Sequence, residues 1–363
     1  MKNTYGNHLT LTLFGESHGE AIGAVLDGIT PGIEVNEDFI RHQLTLRRPA
    51  GAISTARSEA DLFSIKSGVV NGKTTGTPIC IIIENENKRS RDYSAIDGKA
   101  RPGHADFAAY EKYHGFEDRR GGGHFSGRVT AALVAASAIV IYALKSKGIN
   151  IATHISKCAG VSDRGFETLS EDMDSLNNKV FPVLSEEAGQ LMQSEILKAK
   201  TELDSVGGIL ETVITGVPSG AGEPWFDTVE SMLSHGLFSI PAIKGVQFGD
   251  GFALSDMRGS EANDCFAIRE GKVVTLTNRN GGINGGITNG MPIVFSCAVK
   301  PTPSIAREQE TVDFVNGEEV KLCIGGRHDP CIVHRARAVV DSIVALTVAD
   351  ILVGRYGTDY LKD

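Results

Sequence analysis

The stretch RRGGGHFSGRVTAALVAASAIVIYALKSKG, residues 119–148, decides how the chain folds. Its residues 129–144 are the most apolar run in the sequence, interrupted by threonine and serine, and sixteen residues fall short of the roughly 20 that a bilayer crossing takes. The run therefore reads as a helix buried in protein. Ser126 is placed to cap it, alanine-rich sequence favours it from Arg128 to about Lys147, two lysines sit in its last turn, and Gly148 offers a stop.

Working outward, alternating or apolar runs with turn residues between them read as strands at 9–14, 23–29, 62–70 and 78–83, the last as a central strand. Strands are also expected at 208–217, 243–248, 291–299 and 318–324, with a final helix after Arg337. Residues 161–200 change character: acidic side chains dominate, and a partly helical period follows Ser185, which reads as a peripheral section on one fold or a link between two domains. Strands mixed with separate helices, without a repeating βαβ order, predict an α+β fold with antiparallel sheets.

Composition narrows the function. The 363 residues suffice for a full core, and a net charge of -9 argues against general nucleic-acid binding. Six scattered cysteines without a CxxC pair predict reduced, buried thiols rather than a disulfide scaffold or a zinc site. No apolar run follows Lys2, so no signal peptide is expected and the cytoplasm is the default location.

The residues that bear on chemistry lie in loops. Gly15-Glu16-Ser17-His18-Gly19 follows an apolar strand, where His18 could face a ligand or simply bond within its turn. Arginines recur beside glycine and proline at Arg47-Arg48-Pro49, Arg57, Arg101-Pro102-Gly103-His104-Ala105-Asp106 and 119–128. A guanidinium matches two anion oxygens at once, and glycine lets backbone N–H groups approach, so the pattern suits a small, multiply anionic ligand. Any single pair could equally be solvated or matched to a carboxylate. No P-loop ending follows the triple glycine, and 281–286 lacks a dinucleotide-fold setting. Lys300-Pro301-Thr302-Pro303-Ser304 offers a cation and two hydroxyls on a stiff loop, and Arg327-His328-Asp329-Pro330 holds an aspartate that is either a tuned base or an ion-pair member.

Taken together, GESHG at 15–19, RPGHAD at 101–106 and GRHDPC at 326–331, with 92–96 and 222–224, resemble the chorismate synthase family over roughly residues 5–353. The resemblance implies a single α+β domain over 1–363, a β-α-β sandwich assembled as a homotetramer, with 161–200 peripheral. It implies 1,4-elimination of phosphate from 5-enolpyruvylshikimate 3-phosphate to chorismate, assisted by reduced flavin mononucleotide without net redox change. By position, His18 matches the residue that protonates the departing phosphate, His104 the one that adjusts flavin protonation, and Asp329 the one that takes a proton back through the flavin. Arg47, Arg48, Arg57, Arg101, Arg128 and Arg327 match substrate ligands. Flavin contacts carry over onto His124, Phe125, Ser126, Pro241, Ala242, Gly285, Lys300, Pro301, Thr302, Pro303, Ser304 and Arg327, and a nicotinamide-nucleotide contact onto Arg47. His124-Phe125 stands where many members have Arg-Ser, which shifts flavin-phosphate binding toward Lys300. The chain lacks the long insertions of members that reduce their own flavin, so a separate flavin reductase is expected, with NADPH as the indirect electron source and no membrane or nucleic-acid partner.

Overall fold

The computed structural model describes residues 2–49, 51–55, 60–86, 98–325 and 328–362. Arg57, Arg327 and the motif at 92–96 lie outside the described residues. Strands β1 (Thr4–Tyr5), β2 (Thr10–Gly15), β3 (Ala21–Asp27), β4 (Phe63–Ile65) and β5 (Ile79–Glu84) form a first antiparallel sheet in the order β1-β2-β3-β5-β4. The expected central strand is thus interior, between β3 and β4. The expected strand at 62–70 is split, because positive-φ Gly68 turns the chain between β4 and a short Val69–Val70 strand.

A second antiparallel sheet comprises β6 (Asn150–Cys158), β7 (Val161–Ser162), β8 (Gly208–Thr215), β9 (Ile243–Phe248) and β10 (Ile293–Val299), in the order β9-β10-β8-β6-β7. Hairpin strands β11 (Glu308–Asp313) and β12 (Glu318–Cys323) pair apart from it. The α-helices longer than one turn are α1 (Glu37–Arg47), α2 (Asp106–Tyr113), α3 (Thr130–Ser146), α4 (Leu169–Leu176), α5 (Glu186–Thr201), α6 (Val229–Ser239) and α7 (Val333–Tyr356). Mixed helices and antiparallel sheets make the class α+β.

Helix α3 is the apolar run at the centre of the chain. Ser126 caps a short 3-10 lead-in by accepting from the Arg128 amide, and Gly148 at φ 75° ends the segment. Residues 127–146 have the length and composition of a membrane span, but 72% of the apolar window is buried inside this fold. The helix touches β2, β3 and β5 of the first sheet and β6 of the second, and packs along α1 and α7. Helix α7 begins at Val333, four residues before Arg337, so Arg337 lies inside it rather than ahead of it. There Arg337 pairs with Asp341 one turn on at 3.0 Å, and Thr153 donates to the same carboxylate at 2.6 Å.

One of the ties between the acidic section and the second sheet is a histidine. His154 on β6 is fully buried, with Nδ1 3.2 Å from Asp163 and Nε2 2.8 Å from Glu211 on β8. Both acceptors are carboxylates, so the ring must carry two protons to donate to both. Burial pushes the imidazole down, but the bonds to Asp163 and Glu211 outweigh it and hold its pKa above the ordinary 6.5. Asp163 also accepts the amides of Leu184 and Ser185 at 2.6 and 2.9 Å, fixing the approach to α5. A group raised on folding contributes its full stabilisation below the unfolded value and loses it as pH rises through the folded value. The melting temperature should therefore fall with rising pH above about 6.5, the reference histidine value, and His154→Gln should remove that component. An unchanged slope in the variant would contradict the clamp.

The thiols are all unbridged. Cys158, Cys297 and Cys331 are buried and Cys80 partly so, but Cys265 and Cys323 are exposed, which corrects the expectation of uniform burial.

Candidate active site

Two loops clasp one another where β2 ends in the first sheet. The loop leaving β2 carries Ser17 and His18, both buried, and the triple glycine 121–123 folds over it. All three glycines hold positive φ, at 62°, 86° and 53°. The Ser17 amide donates to the Gly123 carbonyl at 3.0 Å, and His124 Nδ1 bonds the Gly15 carbonyl at 2.8 Å. Gly121 lies against the His18 ring so closely that a Cβ would sit 2.4 Å from Nε2 and 2.3 Å from Cδ2. The turn residue of the sequence is thus a buried imidazole under a glycine lid.

Beside this clasp, arginines converge on a carboxylate that sequence reasoning missed. Asp61, just ahead of β4, accepts from Arg47 at 3.0 Å, binds Arg128 in a short ion pair, and lies 3.6 Å from Arg48 Nε. Burial pushes the Asp61 carboxyl up, but Arg47 and Arg128 outweigh it and hold it below the ordinary range. Arg128 Nε also donates to Asn85 Oδ1 at 3.1 Å, while Asn85 Nδ2 donates to the Glu16 and Gly19 carbonyls at 3.0 and 3.2 Å. Asn85 therefore ties the arginines to the His18 loop. Nε of Arg47 and Nε of Arg48 are buried and make no hydrogen bond among the described residues.

Asp329 sits close to this group. It pairs with Arg335, whose Nε donates to the Arg47 carbonyl at 2.9 Å, and accepts the Thr55 amide at 2.8 Å. Both carboxylate oxygens are engaged, so it is an ion-pair member here.

The second cluster surrounds His104. Its Nδ1 lies 3.2 Å from the Pro102 carbonyl, and its Nε2 lies 2.8 Å from Ser304 Oγ. A carbonyl only accepts, which assigns the proton to Nδ1 and leaves Nε2 to accept from the serine. The His104 pKa is lowered to about 4, chiefly by burial with help from Arg101 and Lys300, against the opposing pull of the Pro102 carbonyl and Asp106. The ring is neutral at neutral pH. Arg101 is turned back on Asp106 through two bonds of 2.8 and 2.7 Å. Lys300 Nζ donates to the Gly103 carbonyl at 2.7 Å, and its amide donates to Ala242, which with Pro241 forms the adjoining turn at φ 77°. A Cβ on Gly103 would come within 2.9 Å of Pro303. Thr302 Oγ1 is buried with no hydrogen-bond partner among the described residues.

Helix α2 connects the clusters: Arg119 lies 5.1 Å over the Tyr110 ring, and Tyr113 meets Phe125 edge-on at 6.0 Å. Phe125 itself is 43% exposed. Gly285 stands apart in the turn of a small hairpin, with open space around it. Among the described residues, no group of three or more histidine, cysteine or acidic side chains is placed to hold a metal ion.

The sequence profile described as chorismate synthase matches residues 9–353, spanning both clusters. The chain belongs to the chorismate synthase family. The chorismate synthase of Pyrococcus abyssi is 47% identical over 96% of this chain and 97% of its own. That of Thermococcus kodakarensis is 45% identical over the same shares, and that of Lachnoclostridium phytofermentans is 45% identical over 99% of this chain and 98% of its own. A crystal structure of chorismate synthase superposes with a TM-score of 0.76 at 28% identity, covering 97% of this chain and 94% of that one. The chain is a lyase of the shikimate route to aromatic compounds, as chorismate synthases are.

Proposed function

We propose that the His18 clasp and the Asp61-centred arginines form the place where 5-enolpyruvylshikimate 3-phosphate loses its phosphate, with the His104 cluster beside it as the flavin seat. The observation that carries this is a buried imidazole linked, through Asn85 and Arg128, to guanidiniums whose Nε donors are buried and unfilled. A ligand with one phosphate and two carboxylates supplies the acceptors those donors lack.

In this reading Arg47, Arg48 and Arg128 grip the anions, with Arg57, Arg101 and Arg327 as further candidates. His18 delivers a proton to the departing phosphate oxygen, where it lowers the cost of the developing negative charge. Asp329 holds Arg335 against the Arg47 backbone and is the candidate proton acceptor. Neutral His104, its Nδ1 proton on Pro102, presents an Nε2 lone pair that Ser304 satisfies and can release.

Residues fit a flavin phosphate at Lys300–Ser304: a cation, the orphaned Thr302 hydroxyl, and a backbone approach at Gly103 that a side chain would block. Pro241, Ala242, Pro301, Pro303, His124, Phe125 and Ser126 would line the ring, with Gly285 the least connected candidate. Reduced flavin mononucleotide, when bound, supplies electron density to the breaking carbon–oxygen bond. We further infer a single β-α-β sandwich domain over 1–363, a homotetramer, cytoplasmic location, and a monofunctional enzyme whose flavin is reduced elsewhere at the expense of NADPH, with any direct nucleotide contact at Arg47.

His104→Ala should slow turnover by about 10²-fold with flavin affinity little changed. The check is single-turnover kinetics beside a flavin titration, and a near-normal rate would remove His104 from the chemistry.

A further inference from the structure

Among the described residues, Asp61 is the carboxylate on which Arg47, Arg48 and Arg128 converge, and we propose that it is a positioning residue for substrate anions: it sets the three guanidiniums at the spacing the anions need. The proposal rests on the assignment of those arginines to the substrate.

Four observations carry it. Asp61 is almost fully buried, at 1% side-chain exposure, so its charge is tolerable only because it is paired. Its three partners come from two separate places: the end of α1, with Arg47 and the Arg48 that follows it, and the lead-in to α3. Packing of α1 on α3 brings Arg47 and Arg128, eighty-one positions apart by numbering, side by side, and two like charges held that close call for a shared counter-ion. Asp61 itself holds φ 49°, in the left-handed region that costs a non-glycine residue energy and that functional sites often retain. Lastly, Arg47 binds Asp61 through Nη2 while its buried Nε remains unfilled, and Arg48 Nε stands 3.6 Å from the carboxylate, beyond hydrogen-bond reach. The carboxylate fixes these groups without exhausting their donors.

This arrangement makes a prediction with a definite sign. A carboxylate that merely competed with substrate for the arginines would weaken binding, and its removal would lower KM. A carboxylate that organises them keeps mutually repelling cations in place before the ligand arrives, and its removal raises KM. In Asp61→Asn the charge is lost at constant size. We expect KM for 5-enolpyruvylshikimate 3-phosphate to rise about 30-fold, kcat to change less than about fivefold, and the dissociation constant of oxidised flavin mononucleotide, measured without substrate, to stay within twofold. Asp61→Glu keeps the charge but displaces it by a methylene, and should raise KM about three- to tenfold. It is the deciding variant should Asp61→Asn not fold.

A KM that is unchanged or lower in the folded variant overturns the proposal, as does a loss confined to kcat. The wild-type enzyme assayed alongside keeps the two readings apart: if wild type makes no chorismate, the assignment of the site fails, whereas active wild type with unaltered variants sinks only the role of Asp61.

Discussion

His18→Ala is expected to lower kcat by about 10²- to 10⁴-fold, the span over which a positioned general acid acts. The ring is buried at 4% exposure beneath Gly121, with Asp118 near enough that the two interact electrostatically. Its loss removes the proton donor without disturbing the backbone clasp, because Ser17 and His124 hold the loops through their own bonds to Gly123 and Gly15. The loss should therefore fall on kcat, with flavin affinity retained. The result is read by phosphate release in single turnovers. A variant within tenfold of wild type would show that the departing phosphate takes its proton from another source.

Gly121→Ala is expected to cost about 10²-fold, the lower end of the general acid-base range, although it touches no substrate. Two physical causes act together. The position requires φ 62°, which costs a side-chain-bearing residue about 1–2 kcal/mol. The added methyl would also sit 2.3 Å from His18 Cδ2 and 3.1 Å from Ser17 Oγ, so the imidazole must leave its place. Gly165→Ala makes a fair control, since a Cβ there meets nothing within 4 Å. If the two glycine variants behave alike, the lid does not hold the histidine. Combining Gly121→Ala with His18→Ala should cost little more than His18→Ala alone, because both remove the same group.

The chain's motifs were legible because they are contiguous. GESHG and the triple glycine fall beside the expected strand and helix, RPGHAD leads into α2, and the buried helix was readable from its apolar length and Ser126 cap. Helix α1 was missed, although Asn36 caps it by accepting from Phe39, Glu37 and Asp38 open it, and Ile40 and Leu44 supply an apolar face. The attention drawn by Arg47-Arg48-Pro49 as a loop concealed that Arg47 ends a helix, which is what aims it inward. Helices α2, α4 and α6 and strand β11 were also unread, being short and weakly patterned, as was β6, whose nine residues follow Gly148 without a clean apolar alternation.

Asp61 and Asn85 could not be found the same way. Each lies beside a strand with no motif of its own, and their partners are distant in sequence: Asp61 meets Arg128 across 67 positions and Asn85 meets it across 43. Burial of a charge is a property of packing, and a sequence records the charge but not the burial. Arg101 and Asp329 illustrate the reverse, since the motifs draw the eye to them but do not reveal that Asp106 and Arg335 already pair with them.

The central claim is that these residues carry out the elimination with reduced flavin supplied from outside. Its most direct test is an anaerobic assay of the full chain with 5-enolpyruvylshikimate 3-phosphate and dithionite-reduced flavin mononucleotide, following phosphate and chorismate together, and repeated with NADPH and oxidised flavin. Chorismate and phosphate in equal amounts from the first mixture, and neither from the second, is the predicted result. Neither product from folded, flavin-binding protein in the first mixture would contradict it.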